Sequence, residues 1–334
     1  MQTLAKHWHA ETNFVVCDLC PRGCQIAEGK RGACFVRRND QGKLLTDGYG
    51  NYSTAAIDPM EKKPLYHFLP GTKILSFGVI GCNLSCKFCQ NWEISQSRDL
   101  GLVTLECTPE QWAELCIQKD CRAIAFTYNE PLITFENTYA AAKHCHERNV
   151  KTVLVSAGYV NKLPLAELVE FIDAANIDLK AFNNEFYQQI CGVSLQPVLE
   201  SLQLIKERGV ALELTNLIIP ECNDNLNEIT AMSKWITAEL GADTPLHFSA
   251  YHPAHKFSNR STDFTTLHNA YKIAKDCGLN YVYIGNVTNP RFNSTFCPQC
   301  QALLIERSGY CTRIVGLQDG KCATCGKEIT GVWK

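Results

Sequence analysis

The 334-residue sequence has no long apolar run and no strong excess of either charge. No hydrophobic stretch approaches the roughly 20 residues of a membrane-spanning helix, so we expect no membrane association. The formal net charge is −2, and a chain so close to neutrality has no overall attraction to nucleic acid, which is therefore not an expected partner. The first residues show neither an apolar core nor a cleavage-site pattern, so we expect no signal peptide and a cytoplasmic location.

Cysteine, in contrast, is abundant, with 19 residues. Most of them fall in tight sets separated by two or three residues. Without a secretion signal, such sets indicate metal or cluster ligation in a reducing compartment rather than disulfide bonds. The isolated cysteines, such as Cys191 and Cys277, are expected to pack as small apolar residues.

The most informative set is Cys82, Cys86 and Cys89, which follow the pattern C-x3-C-x2-C. A [4Fe–4S] cluster has four irons, and three thiolates leave one iron open. Structural zinc sites usually pair their cysteines as C-x2-C, so this spacing favours a cluster over a zinc knuckle or three reduced thiols. An open iron is a position where a small molecule can bind and receive an electron.

The sequence predicts three parts: a cysteine-rich N-terminal extension over 1–70, a β/α domain over 71–290, and a zinc-ribbon-like module over 291–334. The middle part alternates strand-like and helix-like segments, which indicates the α/β class and a partial or full parallel TIM-like barrel. The predicted strands are 74–80, 123–127, 152–156, 176–179, 212–217, 246–251 and 281–284. The predicted helices are 109–119, 135–148, 164–174, 195–208, 227–240 and 264–277.

Two further cysteine sets flank the β/α domain. The C-terminal set forms two C-x2-C pairs, a strong zinc-ribbon pattern, and consists of Cys297, Cys300, Cys322 and Cys325. Cys311, between the pairs, is treated as a bystander. The N-terminal set could hold zinc or an auxiliary iron–sulfur cluster, and its spacing leaves both readings open; it consists of Cys17, Cys20, Cys24 and Cys34.

The run from Cys82 to Cys89, with the aromatic Phe88 before the last cysteine, resembles the C-x3-C-x-aromatic-C signature of the radical S-adenosylmethionine (SAM) superfamily. The resemblance implies that the open iron chelates the amino and carboxyl groups of SAM. An electron from the cluster would then cleave SAM to methionine and a 5′-deoxyadenosyl radical, which abstracts hydrogen from a substrate. It also implies an electron donor such as flavodoxin or ferredoxin. The stretches 17–24, 29–32, 61–68, 81–95 and 331–333 resemble one pyruvate formate-lyase-activating-enzyme-like branch, the AmmeMemoRadiSam system radical SAM enzymes.

Polar residues at the predicted strand ends are candidates to bind SAM, because the chemistry of parallel barrels lies at that face. Glu130 could accept hydrogen bonds from the SAM ammonium, and Asp178 and Lys180 face the same side of their strand. Phe88 is expected near the adenine. The remaining candidates are Asn129, Ser156, Asn216 and His252. Several of these residues have a structural alternative: a helix-start turn at 129–131, a helix cap at Ser156, mutual pairing of Asp178 with Lys180, and a structural hydrogen bond at His252.

The expected function is therefore reductive cleavage of SAM at a [4Fe–4S] cluster, acting on a small-molecule or protein substrate that the sequence does not identify. One alternative is an activase of glycyl-radical enzymes, because the Asp178-x-Lys180 pattern resembles those proteins. Another is a zinc-dependent binding scaffold without catalysis. The iron content would discriminate the scaffold from both enzymes.

Overall fold

The computed structural model describes residues 3–287 and 289–334. Its centre is an eight-stranded sheet in which seven parallel strands follow one another in chain order and one antiparallel strand lies at the edge. The strands are β1 (Thr54–Pro59), β2 (Lys73–Gly78), β3 (Ala123–Phe126), β4 (Lys151–Ser156), β5 (Ala174–Asp178), β6 (Ala211–Ile218), β7 (Leu246–Ala250) and β8 (Val282–Gly285). Within the described residues β1 and β8 are the two edges of this sheet, so it forms a partial barrel.

Helices connect the parallel strands. The main ones are α1 (Pro109–Gln118), α2 (Phe135–Glu147), α3 (Lys162–Leu168), α4 (Gln196–Glu207), α5 (Leu226–Trp235) and α6 (Phe264–Asp276). Helix α1 begins with a capping box between Thr108 and Gln111 and has Pro109 in its first turn, which satisfies backbone N–H groups that the helix leaves unpaired. All four residues of β3 are buried, as expected for a parallel strand covered on both faces. The predicted α/β class with a parallel sheet is confirmed.

The structure corrects two boundaries. The stretch 58–64 is polar and punctuated by prolines, which predicts a loop, but it includes the end of β1 and then a single helical turn at Met60–Lys62. The predicted helix 164–174 is too long, because α3 ends at Leu168 and Ala174 already begins β5. The other short helical segments are Trp92–Ser95, Leu100–Leu102, Pro131–Thr134, Val169–Phe171, Asn184–Phe186, Tyr187–Cys191, Ile236–Leu240 and Pro290–Asn293.

The N-terminal residues form two small antiparallel sheets. One contains Trp8–Ala10, Phe14–Cys17 and Gln25–Ala27, and the other contains Thr3–Leu4, Lys43–Thr46 and Arg37–Asp40. A further pair joins Asn51–Tyr52 to Leu105–Glu106. Arg37, which is 1% exposed, forms an ion pair of 2.6 Å with Glu136 of α2, and this buried contact attaches the extension to the β/α domain.

The C-terminal residues form a three-stranded sheet and a short hairpin, with strands Thr295–Phe296, Leu303–Ser308, Cys311–Ile314, Leu317–Gln318 and Lys321–Cys322. This part packs on the segment before β2. The fully buried Arg307 donates to the Tyr66 carbonyl at 2.7 Å, and the backbone N–H of Val332 donates to the His67 carbonyl at 2.7 Å. The domain limits at residues 70 and 290 stay a prediction. Among the described residues, no helix is long and apolar enough to cross a membrane.

Candidate active site

A cavity of about 280 Å³ lies at the carboxyl ends of the parallel strands. We call it the strand-end cavity. Its wall contains the three cysteines of the C-x3-C-x2-C run together with polar side chains that lie in or just after β3, β5, β6, β7 and β8. The lining residues include Cys82, Cys86, Phe88, Cys89, Gln90, Tyr128, Asn129, Glu130, Asp178, Lys180, Thr215, Leu217, Ser249 and Asn286. The fold thus brings together groups that are far apart in the sequence.

Backbone contacts hold the cysteine loop in place. The backbone N–H of Ser85 donates to the Cys191 carbonyl at 2.9 Å, and that of Lys87 donates to the Ile190 carbonyl at 3.0 Å. At the start of the loop, the Asn129 amide Nδ2 donates to the Gly81 carbonyl at 2.6 Å. Gly81 has φ +90°, a conformation that favours glycine because it has no Cβ. The predicted site residue Asn129 therefore supports the loop that carries Cys82.

The environment of the three thiols is not uniform. Burial raises the pKa of both Cys82 and Cys89, and for Cys82 the nearby Glu130 carboxylate adds to the effect. The pKa of Cys86 is instead lowered by the neighbouring Cys191 thiol and, against the opposing effect of burial, by the Lys180 ammonium. Cys191 was expected to pack as a small apolar residue, but its carbonyl also accepts a hydrogen bond from the cysteine loop. No local pattern could have found its role, because Cys191 reaches the loop only through the fold.

Glu130 is completely buried and its carboxylate is held on several sides. Oε1 accepts from the Ser156 hydroxyl at 2.7 Å and from the Leu132 N–H at 3.1 Å, while Oε2 accepts from the Ala157 N–H at 2.9 Å. Burial nevertheless raises the pKa of Glu130, since removing a carboxylate from water disfavours its charged form. Glu130 lines the cavity, whereas Ser156 does not, and Ser156 acts by orienting Glu130.

Asp178 and Lys180 both line the cavity and also pair with each other, since Lys180 Nζ donates to Asp178 Oδ2 at 2.8 Å. Burial disfavours the charged lysine, but Asp178 and Cys86 together hold the pKa of Lys180 well above its ordinary value. The ammonium also lies 5.8 Å from the centre of the Phe88 ring. A permanent cation therefore stands beside the cysteine loop.

Besides Ser156, two predicted residues are not part of the cavity wall. Asn216 is buried and donates to the Leu179 carbonyl at 2.7 Å. Its neighbours Thr215 and Leu217 line the cavity instead, because successive side chains of a strand point to opposite faces. His252 is exposed, with a ring nitrogen 3.2 Å from the Gln90 amide, and it touches the cavity only through Gln90.

The structure adds cavity residues that the sequence analysis did not identify, namely Tyr128, Thr215, Ser249 and Asn286. Asn286 directly follows β8, so the rule that placed candidates after the other strands would have found it. Tyr128 adopts φ +71°, which is uncommon for a residue with a side chain. Its hydroxyl donates to Asp58 at 2.8 Å, and this contact fixes the ring beside the cavity.

The C-terminal cysteines have a different geometry. The sulfurs of Cys297 and Cys325 are 3.6 Å apart, as are those of Cys300 and Cys322, and all four lie within 4.8 Å of one another. A tetrahedral ion with Zn–S bonds of 2.3 Å separates its sulfurs by about 3.8 Å. The four thiols are thus arranged to hold one metal ion, and Cys311 does not belong to this group.

The strand-end residues fit a cluster and a zwitterionic nucleoside. Three thiols face a common cavity, which suits a group larger than a single ion. Anionic Glu130 and Asp178 and cationic Lys180 can complement an amine and a carboxylate, and the Asn286 amide adds a hydrogen-bonding group.

Comparison with known proteins agrees with this geometry. The model of the radical SAM superfamily matches residues 79–236. The chain is 42% identical to Uncharacterized protein MJ0808 of Methanocaldococcus jannaschii over 322 residues, an alignment that covers 96% of each chain. It is 21% identical over 188 residues to pyruvate formate-lyase 1-activating enzyme of Escherichia coli (strain K12), over 55% of this chain and 75% of that one. A solved radical SAM methyltransferase from Sphaerobacter thermophilus superposes with a TM-score of 0.53 at 15% identity, over 74% of each chain.

The parallel sheet and its cysteine-lined mouth therefore define an enzyme. The chain belongs to the radical SAM superfamily, as the cysteine spacing predicted. Members of this family typically bind an iron–sulfur cluster and SAM, act on a substrate and take electrons from a reductant.

Proposed function

We propose that Cys82, Cys86 and Cys89 hold a [4Fe–4S] cluster at which the enzyme binds SAM and cleaves it reductively. When bound, the cluster and SAM supply a 5′-deoxyadenosyl radical that abstracts hydrogen from the substrate. The observation that carries the proposal is the single cavity in which these three thiols face Glu130, Asp178 and Lys180.

The residues of the chain have separable tasks in this proposal. Asn129 supports the start of the cysteine loop through the Gly81 carbonyl. Glu130, oriented by Ser156, provides an acceptor for the SAM ammonium, and Lys180 provides a cation for the SAM carboxylate. Phe88 lies in the wall where the adenine would pack. The surrounding sheet limits access of water to a reactive species, which is the general task of a protein around a cofactor of this kind.

The direct test is anaerobic reconstitution of the full chain, followed by reduction in the presence of SAM. We expect 5′-deoxyadenosine and methionine to form in the wild type and not in Cys86→Ala. Cys277→Ala is the matched control, because Cys277 lies outside the cavity wall. In this variant the strand-end cluster should remain intact. A wild-type protein that contains the cluster but yields neither product, with or without candidate substrates, would refute the proposal.

For the C-terminal cysteine set we propose zinc. The contacts of 3.6 Å between sulfurs and the two C-x2-C pairs support a closed tetrahedral site. A short module with few large apolar groups needs such an ion to remain folded. The proposed ion is thus structural.

A second candidate for the reaction is activation of a glycyl-radical enzyme. It is favoured by the relationship to the pyruvate formate-lyase activating enzyme and by 26% identity over 125 residues to the isethionate sulfite-lyase activating enzyme of Oleidesulfovibrio alaskensis. A glycyl EPR signal on a co-purified or neighbouring-gene protein after incubation with SAM and reductant would establish it. The non-catalytic scaffold is disfavoured, because the chain belongs to a superfamily of enzymes.

A further inference from the structure

The four N-terminal cysteines, which the strand-end site does not use, line one small buried cavity. We call it the N-terminal cavity. Its cysteines come from three separate segments: the end of the strand Phe14–Cys17, the turn that leads to Gln25–Ala27, and the turn before Arg37–Asp40. Cys17, Cys20 and Cys34 are no more than 9% exposed, and none of the four forms a disulfide within the described residues. Buried free thiols that converge from three segments are typical of a metal centre.

The polar groups around this cavity suit ligated, negatively charged sulfurs. The buried Arg37 guanidinium donates to Cys17 Sγ at 3.8 Å, and the Ala33 N–H donates to Cys24 Sγ at 3.5 Å. Arg37 also lines the cavity. A buried cation and N–H···S hydrogen bonds stabilise thiolates and set the potential of a bound iron–sulfur group.

The sulfur spacing separates this set from the C-terminal one. Among the described residues, only the C-terminal cysteines bring three or more ligand atoms within 4.8 Å of one another. The N-terminal sulfurs instead surround a shared cavity together with Arg37 and Asn83. Four thiolates on one zinc ion must lie about 3.8 Å apart, whereas thiolates on a cubane each bind a different iron and therefore stand further apart.

The N-terminal cavity is next to the cysteine loop of the strand-end site. Asn83, which directly follows Cys82, lines the N-terminal cavity, and its Oδ1 is buried without a hydrogen-bond partner in the described part of the chain. A Cβ at Gly81 would overlap the Cys34 carbonyl oxygen. On the other side, Arg22 donates to the Asn83 carbonyl. The segment 81–83 is therefore packed between the two cysteine sets.

We propose that Cys17, Cys20, Cys24 and Cys34 hold a second [4Fe–4S] cluster, ligated entirely by protein, and that this cluster is the point where electrons enter the enzyme. A low-potential one-electron donor, such as a reduced flavodoxin, reduces the oxidised N-terminal cluster by one electron and is itself oxidised by one electron. The N-terminal cluster would then return to its oxidised state by passing one electron across the segment 81–83 to the strand-end cluster, which would be reduced by one electron. No bond forms or breaks and no proton moves. The electron-entry role rests on the proposed function, whereas the identity of the metal centre does not.

The metal centre is tested by removing the strand-end ligands. In the triple variant Cys82→Ala, Cys86→Ala, Cys89→Ala, reconstituted anaerobically, we expect about four iron and four sulfide per chain. Adding Cys24→Ala should remove that iron, while adding Cys311→Ala, the matched control, should leave it. In the otherwise unchanged chain, Cys24→Ala should lower the iron content from about eight to about four per chain. A triple variant without iron and with two zinc ions per chain would overturn the proposal, as would four irons per chain in both the wild type and Cys24→Ala.

Electron entry is tested without SAM chemistry. Reduced flavodoxin mixed with the triple variant should bleach the cluster absorbance and produce the EPR signal of a reduced cluster. In Cys24→Ala, the same donor should reduce the remaining strand-end cluster at least about tenfold more slowly than in the wild type, while dithionite should reduce both within about a factor of two. Equal rates with flavodoxin would overturn the electron-entry role. Because neither readout requires cleavage of SAM, a failure here is distinguishable from a failure of the proposed function.

Discussion

The strand-end and C-terminal cysteine sets use the same ligand in opposite ways. At the C-terminal set the sulfurs lie 3.6 Å apart in pairs, so a single ion bound there would leave no room for another ligand. At the strand ends three sulfurs share a cavity of about 280 Å³ with acidic, basic and amide groups. The first arrangement is closed, as in a structural metal site, and the second is open, as the proposed reaction requires. The surroundings of the cysteines, more than their number, separate structure from chemistry.

The largest expected effect comes from removing one cysteine from the strand-end set. Cys86→Ala should lose the strand-end cluster and lower SAM cleavage by more than about a thousandfold, yet keep the C-terminal metal. Product analysis by chromatography and metal analysis of the same sample would check both. Comparable SAM cleavage in Cys86→Ala and wild type would remove the distinction between the two sets.

The corresponding change in the C-terminal set is Cys300→Ala. Cys300 is exposed, so its truncation leaves no cavity in a core, and any loss of stability reports the metal. We expect the zinc content to fall to near zero and Tm to fall by more than about 5 °C, with the strand-end iron retained. Calorimetry with parallel zinc and iron analysis gives the answer, and Cys311→Ala should leave Tm unchanged. Retention of stoichiometric zinc in Cys300→Ala would contradict a four-cysteine site.

A smaller effect should follow from Glu130→Gln at the open site. The amide carries no charge and presents N–H groups, so the charge-assisted hydrogen bond to the SAM ammonium is weakened at a cost of about 1–3 kcal/mol. We expect SAM affinity to fall by about 10-fold to 100-fold, measured anaerobically by equilibrium binding, with the iron content unchanged. Ser156→Ala, which removes only the orienting hydroxyl, should also lower SAM affinity, but by a smaller factor. Unchanged affinity in Glu130→Gln would exclude a contact between this residue and SAM.

The smallest effect concerns the attachment of the C-terminal part. Burial lowers the pKa of His67 to about 4, with opposing influence from Glu213 and further lowering by Arg307 and His247. His67 therefore stays neutral in the folded chain while the unfolded chain takes up a proton below pH 6.5. Stability should accordingly fall as the pH decreases, by about 2 kcal/mol between pH 6.5 and 5 from this residue.

This dependence can be measured by urea unfolding at both pH values, comparing the wild type with His67→Gln. The glutamine can keep hydrogen bonds to Tyr283 and Thr330, the present partners of His67, but does not titrate. The wild type should lose more stability than the variant on acidification. An identical loss in both proteins would show that His67 is not the titrating group.

Some of this arrangement could be predicted from the sequence because the determining residues are close together in it. Cys82, Cys86 and Cys89 lie within eight positions, and the alternation of a strand places Asp178 and Lys180 on one side. Asn216 lies outside the cavity wall, and the sequence does not determine which of the two adjacent polar residues, Thr215 or Asn216, faces the cavity.

Other features depend on contacts that only the fold creates. Cys191 contacts the cysteine loop from the end of the short helical segment Tyr187–Cys191, which is far from that loop in the sequence. The antiparallel strand β1 was not predicted, because Pro59 and the charged residues after it are typical of loops. An edge strand nevertheless tolerates a proline. The end of α3 at Leu168 was missed because the short turn that follows it continues the helical spacing of apolar residues. The chain then leaves the helix, and the Asp173 carboxylate accepts a hydrogen bond from the Thr152 N–H.

The contact between Val332 and the segment before β2 has a consequence for biosynthesis. The Val332 N–H donates to the His67 carbonyl, and the Val332 carbonyl accepts from the Leu69 N–H. Residues synthesised early therefore form these hydrogen bonds only after Val332, near the end of the sequence, has been synthesised. Until Val332 emerges, the nascent chain presents the surface around His67 to the solvent. Because contacts between residues distant in the sequence form slowly, we expect completion of this face to be a late step of folding, after the cysteine loop has been synthesised.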